Sequence, residues 1–232
     1  MIQIYNKNYL ESENILFDLI FTDIPYNIGA DAYASSPSWW IGRDFRNGQS
    51  TKAESNFFEK DEDFNVDEWL RWCYEHLKEN GRLISFVSIE QLSYIILNYK
   101  KYNFKNYTPL IFIKNSSGEV LKANMRICGA CEYGIILYKN KLGYYNNNKK
   151  MIKNWFNFER QYKPFHPSQK PLELCKQIIN LYVKSGDLVC DTCMGAGNII
   201  IACKELGIDC VGFEIDKKYY DIAHDRIVGG DV

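Results

Sequence analysis

Apolar residues along this chain fall into short continuous runs and into stretches of helical period, separated by polar turns. Ile15-Leu16-Phe17-Asp18-Leu19-Ile20-Phe21 is the first long run, and its continuity predicts a strand buried on both faces. Residues 2–5 predict a short edge strand before it. Trp69, Leu70, Cys73 and Leu77 recur at helical spacing, with Asn65 or Asp67 as the cap and Gly81 as the stop. Residues 82–87 predict a strand and residues 89–101 a helix with Leu92, Ile95, Ile96 and Tyr99 on one face. Residues 108–114 and 133–138 predict two more strands. From Pro171 the alternation is regular: a helix over 171–184, a strand over 187–191, a loop to Gly197, a helix over 198–206, a strand over 209–214 and a helix over 216–228. Strand, glycine loop, helix, strand, helix is one half of a doubly wound sheet, so the fold class is α/β.

Two stretches carry no such period. Residues 28–58 hold Gly29, Gly42, Gly48, a Ser-rich turn and Trp39-Trp40, and a connection of this length predicts a mobile loop over the substrate. Residues 139–170 hold Lys139, Lys141, Lys149, Lys150, Lys153, Arg160, Lys163 and Lys170 against Glu159 alone, interleaved with aromatic residues. That mixture suits phosphates and unstacked bases, and equally a solvated basic loop.

Composition narrows the class without deciding it. Apolar content of 46% and charged content of 25% are those of a globular protein, and 1–232 reads as a single domain. A formal net charge of −1 means that any site for a polyanion is a local patch. No window is apolar enough for a membrane span, and the first residues lack a signal-peptide pattern, so a cytoplasmic protein is expected. Eight Cys are present, and Cys128/Cys131 and Cys190/Cys193 have the spacing of zinc ligands. Cys190 falls inside a strand, however, so no metal is expected.

Chemistry concentrates at two strand ends. Thr22-Asp23-Ile24-Pro25-Tyr26-Asn27 follows the first buried strand, where ligands of open α/β sheets bind. Asp191 ends another strand and leads into Gly195 and Gly197, whose backbone can turn tightly against a ligand. Glu214 ends the next strand, where a carboxylate can accept hydrogen bonds from two ribose hydroxyls. Position 200 is Ile, so the third glycine of a dinucleotide fingerprint is missing. A cofactor with one ribose and a small charged tail fits these residues better than a pyrophosphate.

His166-Pro167-Ser168-Gln169-Lys170-Pro171-Leu172, Gly186-Asp187-Leu188-Val189-Cys190-Asp191, the Gly195/Gly197 loop and Gly212-Phe213-Glu214-Ile215-Asp216, in this order, resemble the C-terminal half of the permuted, β-group amino-methyltransferases of DNA. Asp23-Ile24-Pro25-Tyr26 is similar to the D-P-P-Y motif with which that family begins. The resemblance covers residues 15–27, 66–138 and 164–228. It implies a Rossmann-like, S-adenosylmethionine-dependent fold with a mostly parallel seven-stranded sheet, one antiparallel strand and a circularly permuted motif order. It implies methyl transfer from S-adenosyl-L-methionine to the N6 of an adenine flipped out of double-stranded DNA. N4 of cytosine, RNA as acceptor, and a catalytically silent nucleic-acid-binding subunit remain alternatives.

Carried onto this chain, the resemblance implies that Asp23, the Ile24 carbonyl, Pro25 and Tyr26 hold the target base. It implies that Asp191, Cys193, Gly195 and Gly197 hold the methionine moiety, and that Glu214 holds the ribose. Asp216 or Phe213 borders the adenine, Ile215 belongs to the same cofactor set, and Ser168 and Lys170 reach the cofactor carboxylate. Asn27, Lys149, Lys150, Lys153, Arg160 and Lys163 are the expected nucleic-acid contacts, with 139–165 as a small target-recognition segment. Because 28–58 and 139–165 are short for reading a duplex site, a homodimer, another partner or a short target is expected; a cognate restriction endonuclease and an orphan enzyme both stay open. Two departures stand out: Ile24 where the family has Pro, and Thr192-Cys193 where it has Pro-Phe.

Overall fold

The structure is a computed structural model that describes residues 1–27, 64–115, 130–142, 146, 150–159 and 169–229. Its strands are β1 (Ile2–Tyr5), β2 (Phe17–Asp23), β3 (Leu77–Val87), β4 (Asn106–Lys114), β5 (Cys131–Tyr138), β6 (Trp155–Phe158), β7 (Leu188–Asp191) and β8 (Asp209–Phe213). The helices are α1 (Val66–His76), α2 (Ile89–Asn98), α3 (Leu172–Tyr182), α4 (Asn198–Glu205) and α5 (Lys217–Gly229), with 3-10 turns at Tyr9–Glu11 and Tyr99–Tyr102. The strands form one sheet in the order β1-β8-β7-β2-β3-β5-β4-β6. Among the described strands only β5 runs against its neighbours, pairing antiparallel with β3 and β4.

Two apolar layers explain why the strand sequences read as unbroken runs. Leu19, Phe21, Ile84, Phe86 and Ile136 point to the face covered by α3, α4 and α5, where Cys175, Ile178, Ile200 and Ala223 meet them. Phe17, Ile20, Leu83, Ile135 and Val211 point to the other face, covered by α1 and α2 with Trp69, Trp72, Leu92 and Ile95. With both faces covered, every second residue of each strand has a core to enter.

The chain moves from β7 through α4 to β8 in one direction along the sheet, and from β2 through α1 to β3 in the other. β2 and β7 lie side by side and parallel, with Leu19 opposite Val189 and Ile20 opposite Cys190. The order therefore reverses between them, and the crevice outside their carboxyl ends is where open α/β sheets bind ligands.

Three sequence expectations change. The described sheet has eight strands, not seven, because Trp155–Phe158 adds β6 beside β4 in parallel register. This short strand buries Phe156 and Phe158 and exposes Trp155 and Asn157, and it lies inside the segment expected to read the target. Gly81 does not stop α1. The helix ends at His76, Leu77 is already extended, and Gly81 lies inside β3, where an added Cβ would sit 3.0 Å from the Phe17 carbonyl oxygen. The glycine is needed there for close strand approach, not for a left-handed cap. The predicted second helix is an α-helix to Asn98 followed by the 3-10 turn, closed by Asn103 in a left-handed conformation at φ 67°. Among the described residues no helix is long and apolar enough to cross a membrane.

Candidate active site

Three carboxylates meet at the carboxyl ends of adjacent strands: Asp23 from β2, Asp191 from β7, and Glu214 just past β8. Asp191 is 1% exposed. Its Oδ1 accepts hydrogen bonds from the Thr22 hydroxyl at 2.8 Å and the Cys193 N–H at 3.1 Å. Thr22 in turn accepts from the Thr192 hydroxyl at 3.2 Å, and the Trp69 indole donates to Thr192 at the same distance. Thus Thr192 and Cys193 knit the end of β7 to β2 and α1. Burial pushes the Asp191 carboxyl up to about 7; the Thr22 and Cys193 hydrogen bonds restrain it, and the charges of Asp23 and Glu214 add to the rise.

Glu214 is braced by backbone. Its Oε2 accepts the Gly195 N–H at 2.9 Å and its Oε1 accepts the Asp216 N–H at 2.8 Å. Each oxygen keeps a further lone pair for a ligand hydroxyl. Burial raises its pKa despite these bonds. The glycine loop turns through left-handed backbone at Gly195 (φ 50°) and Gly197 (φ 82°), which side chains rarely adopt. The Met194 N–H donates to the Phe213 carbonyl at 2.9 Å, and the Arg226 guanidinium donates to the Ala196 carbonyl, so the loop is fixed at both ends. Asp216 caps α5 through the Lys218 N–H at 2.9 Å, and Ile215 is 66% exposed at the rim. Phe213 is in the core, stacked on Tyr5 at 5.6 Å, and cannot border an adenine without leaving it.

Asp23 sits beside a buried lysine. Lys170 Nζ lies 2.7 Å from Asp23 Oδ2 and 3.2 Å from Glu132 Oε2, 5.3 Å from the Tyr26 ring centroid and 4.9 Å from that of Phe86. Asp23 Oδ1 is buried with no hydrogen bond among the described residues. Burial raises the Asp23 pKa; Lys170 opposes that rise, with a smaller contribution from the Tyr26 hydroxyl, and Glu132 adds to it. Burial works against the Lys170 charge, but Asp23 and Glu132 more than offset it and hold its pKa well above the usual lysine value.

The turn after Asp23 is pinned from the other face. Ile24 is 2% exposed, packed among the residues of α1 and α2. An apolar side chain is what that position requires, and Ile24 supplies it. The Pro25 carbonyl accepts the Gln91 amide at 2.7 Å, and Gln91 also closes a capping box with Ser88 at the start of α2. Asn27, at φ 53°, donates from its side chain to the Phe64 carbonyl at 2.7 Å.

Among the sequence-named residues, the structure brings Asp23, Ile24, Pro25, Tyr26, Lys170, Asp191, Cys193, Gly195, Gly197, Glu214 and Asp216 to one end of the sheet. Lys170, expected on a cofactor carboxylate, is held by Asp23 and Glu132. Lys150 and Lys153 are exposed on the outer edge. Asn146 bonds the Leu181 and Val183 carbonyls at the amino end of the sheet, and Asn154 bonds the Pro109 carbonyl midway along β4. The two lysines therefore lie on the climb along β4, below the carboxyl ends, with Lys153 Nζ 4.8 Å from the Trp155 ring. Ser168, Lys149, Arg160, Lys163 and the 28–58 loop lie outside the described residues.

Sequence reasoning missed Thr22, Gln91, Glu132 and Asn198. Thr22 stood inside the quoted stretch, but its partner is on another strand. Gln91 was legible only as the N3 residue after Ser88. Asn198, the first residue of α4, donates from its amide to the Lys170 carbonyl at 2.7 Å.

Known proteins resemble this chain along most of its length. The Type II methyltransferase M2.DpnII of Streptococcus pneumoniae is 28% identical over 252 residues, covering 96% of this chain and 91% of that protein. Type II methyltransferase M.HpaI of Haemophilus parainfluenzae is 27% identical over 241 residues, covering 94% and 69%. The M1.HpyAVI–SAM complex superposes with a TM-score of 0.74 at 25% identity, covering 97% of this chain and 100% of that one. The cytosine-N4-specific PvuII DNA methyltransferase shares the fold at a TM-score of 0.71 and 14% identity, covering 99% and 87%. A family model for N6/N4 methyltransferases, described as DNA methylase, matches residues 17–225, and the chain belongs to that family.

Proposed function

We propose that the protein transfers a methyl group from S-adenosyl-L-methionine to the N6 amine of an adenine flipped out of double-stranded DNA. The observation that carries this reading is the convergence of three carboxylates at the carboxyl ends of neighbouring strands: Asp191, 1% exposed, flanked by the partly exposed Asp23 and Glu214. Acids gathered in this way suit a ligand bearing positive charge. When bound, S-adenosylmethionine supplies a methyl group on a cationic sulfonium, beside an ammonium.

Asp191 would take the ammonium, and the Gly195 and Gly197 backbone would close over the methionine part. Glu214 would hold the ribose hydroxyls through the lone pairs left by Gly195 and Asp216. Ile215 would cover one face of the adenine of the cofactor, with Cys193 and Asp216 at the edges. Ser168 belongs to the same set, and Lys170 stands between that role and the Asp23 ion pair.

On the base side, Asp23 and the Ile24 carbonyl each accept one hydrogen of the target amine. This localises the nitrogen lone pair and stabilises the positive charge that develops as the new N–C bond forms. Tyr26 stacks on the ring, and Pro25, held by Gln91, fixes the turn that aims both acceptors. Base flipping costs a few kcal/mol, which the stacking and hydrogen bonds offset. The duplex contacts would come from Asn27, Lys149, Lys150, Lys153, Arg160 and Lys163. Self-association and a cognate restriction endonuclease belong to the same reading, and so does action in the cytoplasm.

Asp23→Ala tests the assignment. Methyl transfer to genomic DNA, followed by mass spectrometry of its nucleosides, should yield N6-methyladenine with the native chain and none with the variant, while calorimetry finds cofactor affinity within a few-fold. N4-methylcytosine as the sole product would overturn adenine as the acceptor. Methylation at the native rate by the variant would overturn the role of Asp23.

A further inference from the structure

Lys170 is shared between two carboxylates, and only one of them has a place in the proposed chemistry. Its Nζ is 2.7 Å from Asp23 Oδ2 and 3.2 Å from Glu132 Oε2, with the lysine side chain 7% exposed. The second oxygen of Glu132, Oε1, is held by Lys114 Nζ at 2.7 Å. The four groups come from β2, β4, β5 and the approach to α3, and their formal charges cancel.

This arrangement conflicts with what Asp23 has to do. An oxygen that accepts a hydrogen from a methylating amine must face growing positive charge, and an ammonium on that same carboxylate repels it. Lys170 has little access to water: its side chain is 7% exposed, with the Phe86 and Tyr26 rings against the ammonium. Among the described residues, Glu132 is the second anion beside it. Although burial acts against its charge, Lys170 and then Lys114 hold its carboxyl down at about 2, whereas that of Asp23 is raised by burial. Glu132 Oε2 faces the ammonium at 3.2 Å and has no hydrogen bond among the described residues, so it can take the donor that Asp23 gives up.

We propose that Glu132 is a positioning residue that draws the Lys170 ammonium off Asp23 when the target amine enters, so that Asp23 meets the amine as an unpaired carboxylate. Lys114 sets the strength of that draw by competing for the same glutamate. Base capture is then a partner exchange within a neutral cluster: one donor leaves Asp23 as another arrives, and no buried charge is left alone. The inference rests on the reading of Asp23 as the amine acceptor.

The test compares Glu132→Gln with Lys114→Met, using radiolabelled S-adenosylmethionine, unmethylated genomic DNA and calorimetry of the cofactor. Glu132→Gln removes the second carboxylate beside Lys170, and kcat should fall roughly a hundredfold, as when one aligned electrostatic group is removed from an active site. Cofactor Kd should stay within about twofold of native, since no group that touches the cofactor is removed. Lys114→Met removes the competing cation, and kcat should rise. A structural role alone would lower kcat in both variants, and that result overturns the proposal. A cofactor Kd that moves about tenfold in Glu132→Gln with kcat intact would assign Lys170 to the cofactor carboxylate and also overturn it. Glu132→Asp keeps the charge but retracts it by one methylene; it should fall between native and Gln, and it supplies the comparison if the Gln chain does not fold. A native chain that methylates no DNA would instead defeat the underlying reading of the site.

Discussion

Replacing Asp191 by Asn should make the cofactor-free protein more stable while disabling it. The Asn carbonyl oxygen can take the place of Oδ1 and keep the hydrogen bonds from Thr22 and the Cys193 N–H, at 2.8 and 3.1 Å. What disappears is a buried charge. The Asp191 carboxyl is pushed from 3.8 up to about 7, a difference of about three pH units, or about 4 kcal/mol at 1.36 kcal/mol per unit. The folded state therefore holds this proton more tightly than the unfolded chain does. Stability from that group is complete below about pH 4 and is lost progressively as pH rises to about 7. The amide of the variant titrates nowhere, so its stability lacks that slope. Urea unfolding between pH 5 and 8.5, native beside variant, isolates the group because every other titration is common to both. The variant should gain on the native chain steadily to about pH 7 and then stay ahead by up to about 4 kcal/mol. Calorimetry should show cofactor affinity strongly reduced in the variant and, in the native chain, rising with pH towards 7. Parallel stability curves for the two proteins would refute the reasoning.

Three further outcomes are expected. Gly212→Ala would bring a Cβ within 2.7 Å of Met194 Sδ and 2.9 Å of Ile200 Cδ1; it should destabilise by roughly 1–3 kcal/mol and weaken cofactor binding through the loop that carries Met194, measured by thermal melts and calorimetry. Ile24→Ala should cost about 2–5 kcal/mol in urea unfolding because the side chain is fully packed, while specific activity of the folded fraction stays near native, since the position acts through its carbonyl. Charge removal at Lys150 and Lys153 together should lower the slope of log affinity against log salt by about one for each phosphate that is no longer neutralised; an unchanged slope would assign these edge lysines to solvent.

The sequence was most legible where chemistry is local. Asp23, Asp191, the two glycines and Glu214 each stand at the end of an apolar run, and the sheet places those ends together because β2 and β7 are neighbours. Strand β6 was illegible because only Phe156 and Phe158 mark it within a polar, basic stretch, and its strand character comes from pairing with β4. Gly81 misled because a glycine after a helical run usually marks a left-handed cap; here the helix had already ended and the glycine answers to the backbone of β2. Glu132 and Gln91 carried no signal of their own. Their meaning is set by Lys170 and by the Pro25 carbonyl, which belong to other parts of the chain.

The bond from Asn27 to the Phe64 carbonyl has an evolutionary consequence. It joins the two residues that bracket the interval 28–63, so the two ends of that interval are fastened to each other. Closure entropy grows only with the logarithm of length, and doubling the interval would add about 0.6 kcal/mol. Insertions, deletions or whole exchanges between Asn27 and Phe64 can therefore accumulate without disturbing the register of β2 or the start of α1. The length of that interval can change while Asp23 stays where it is.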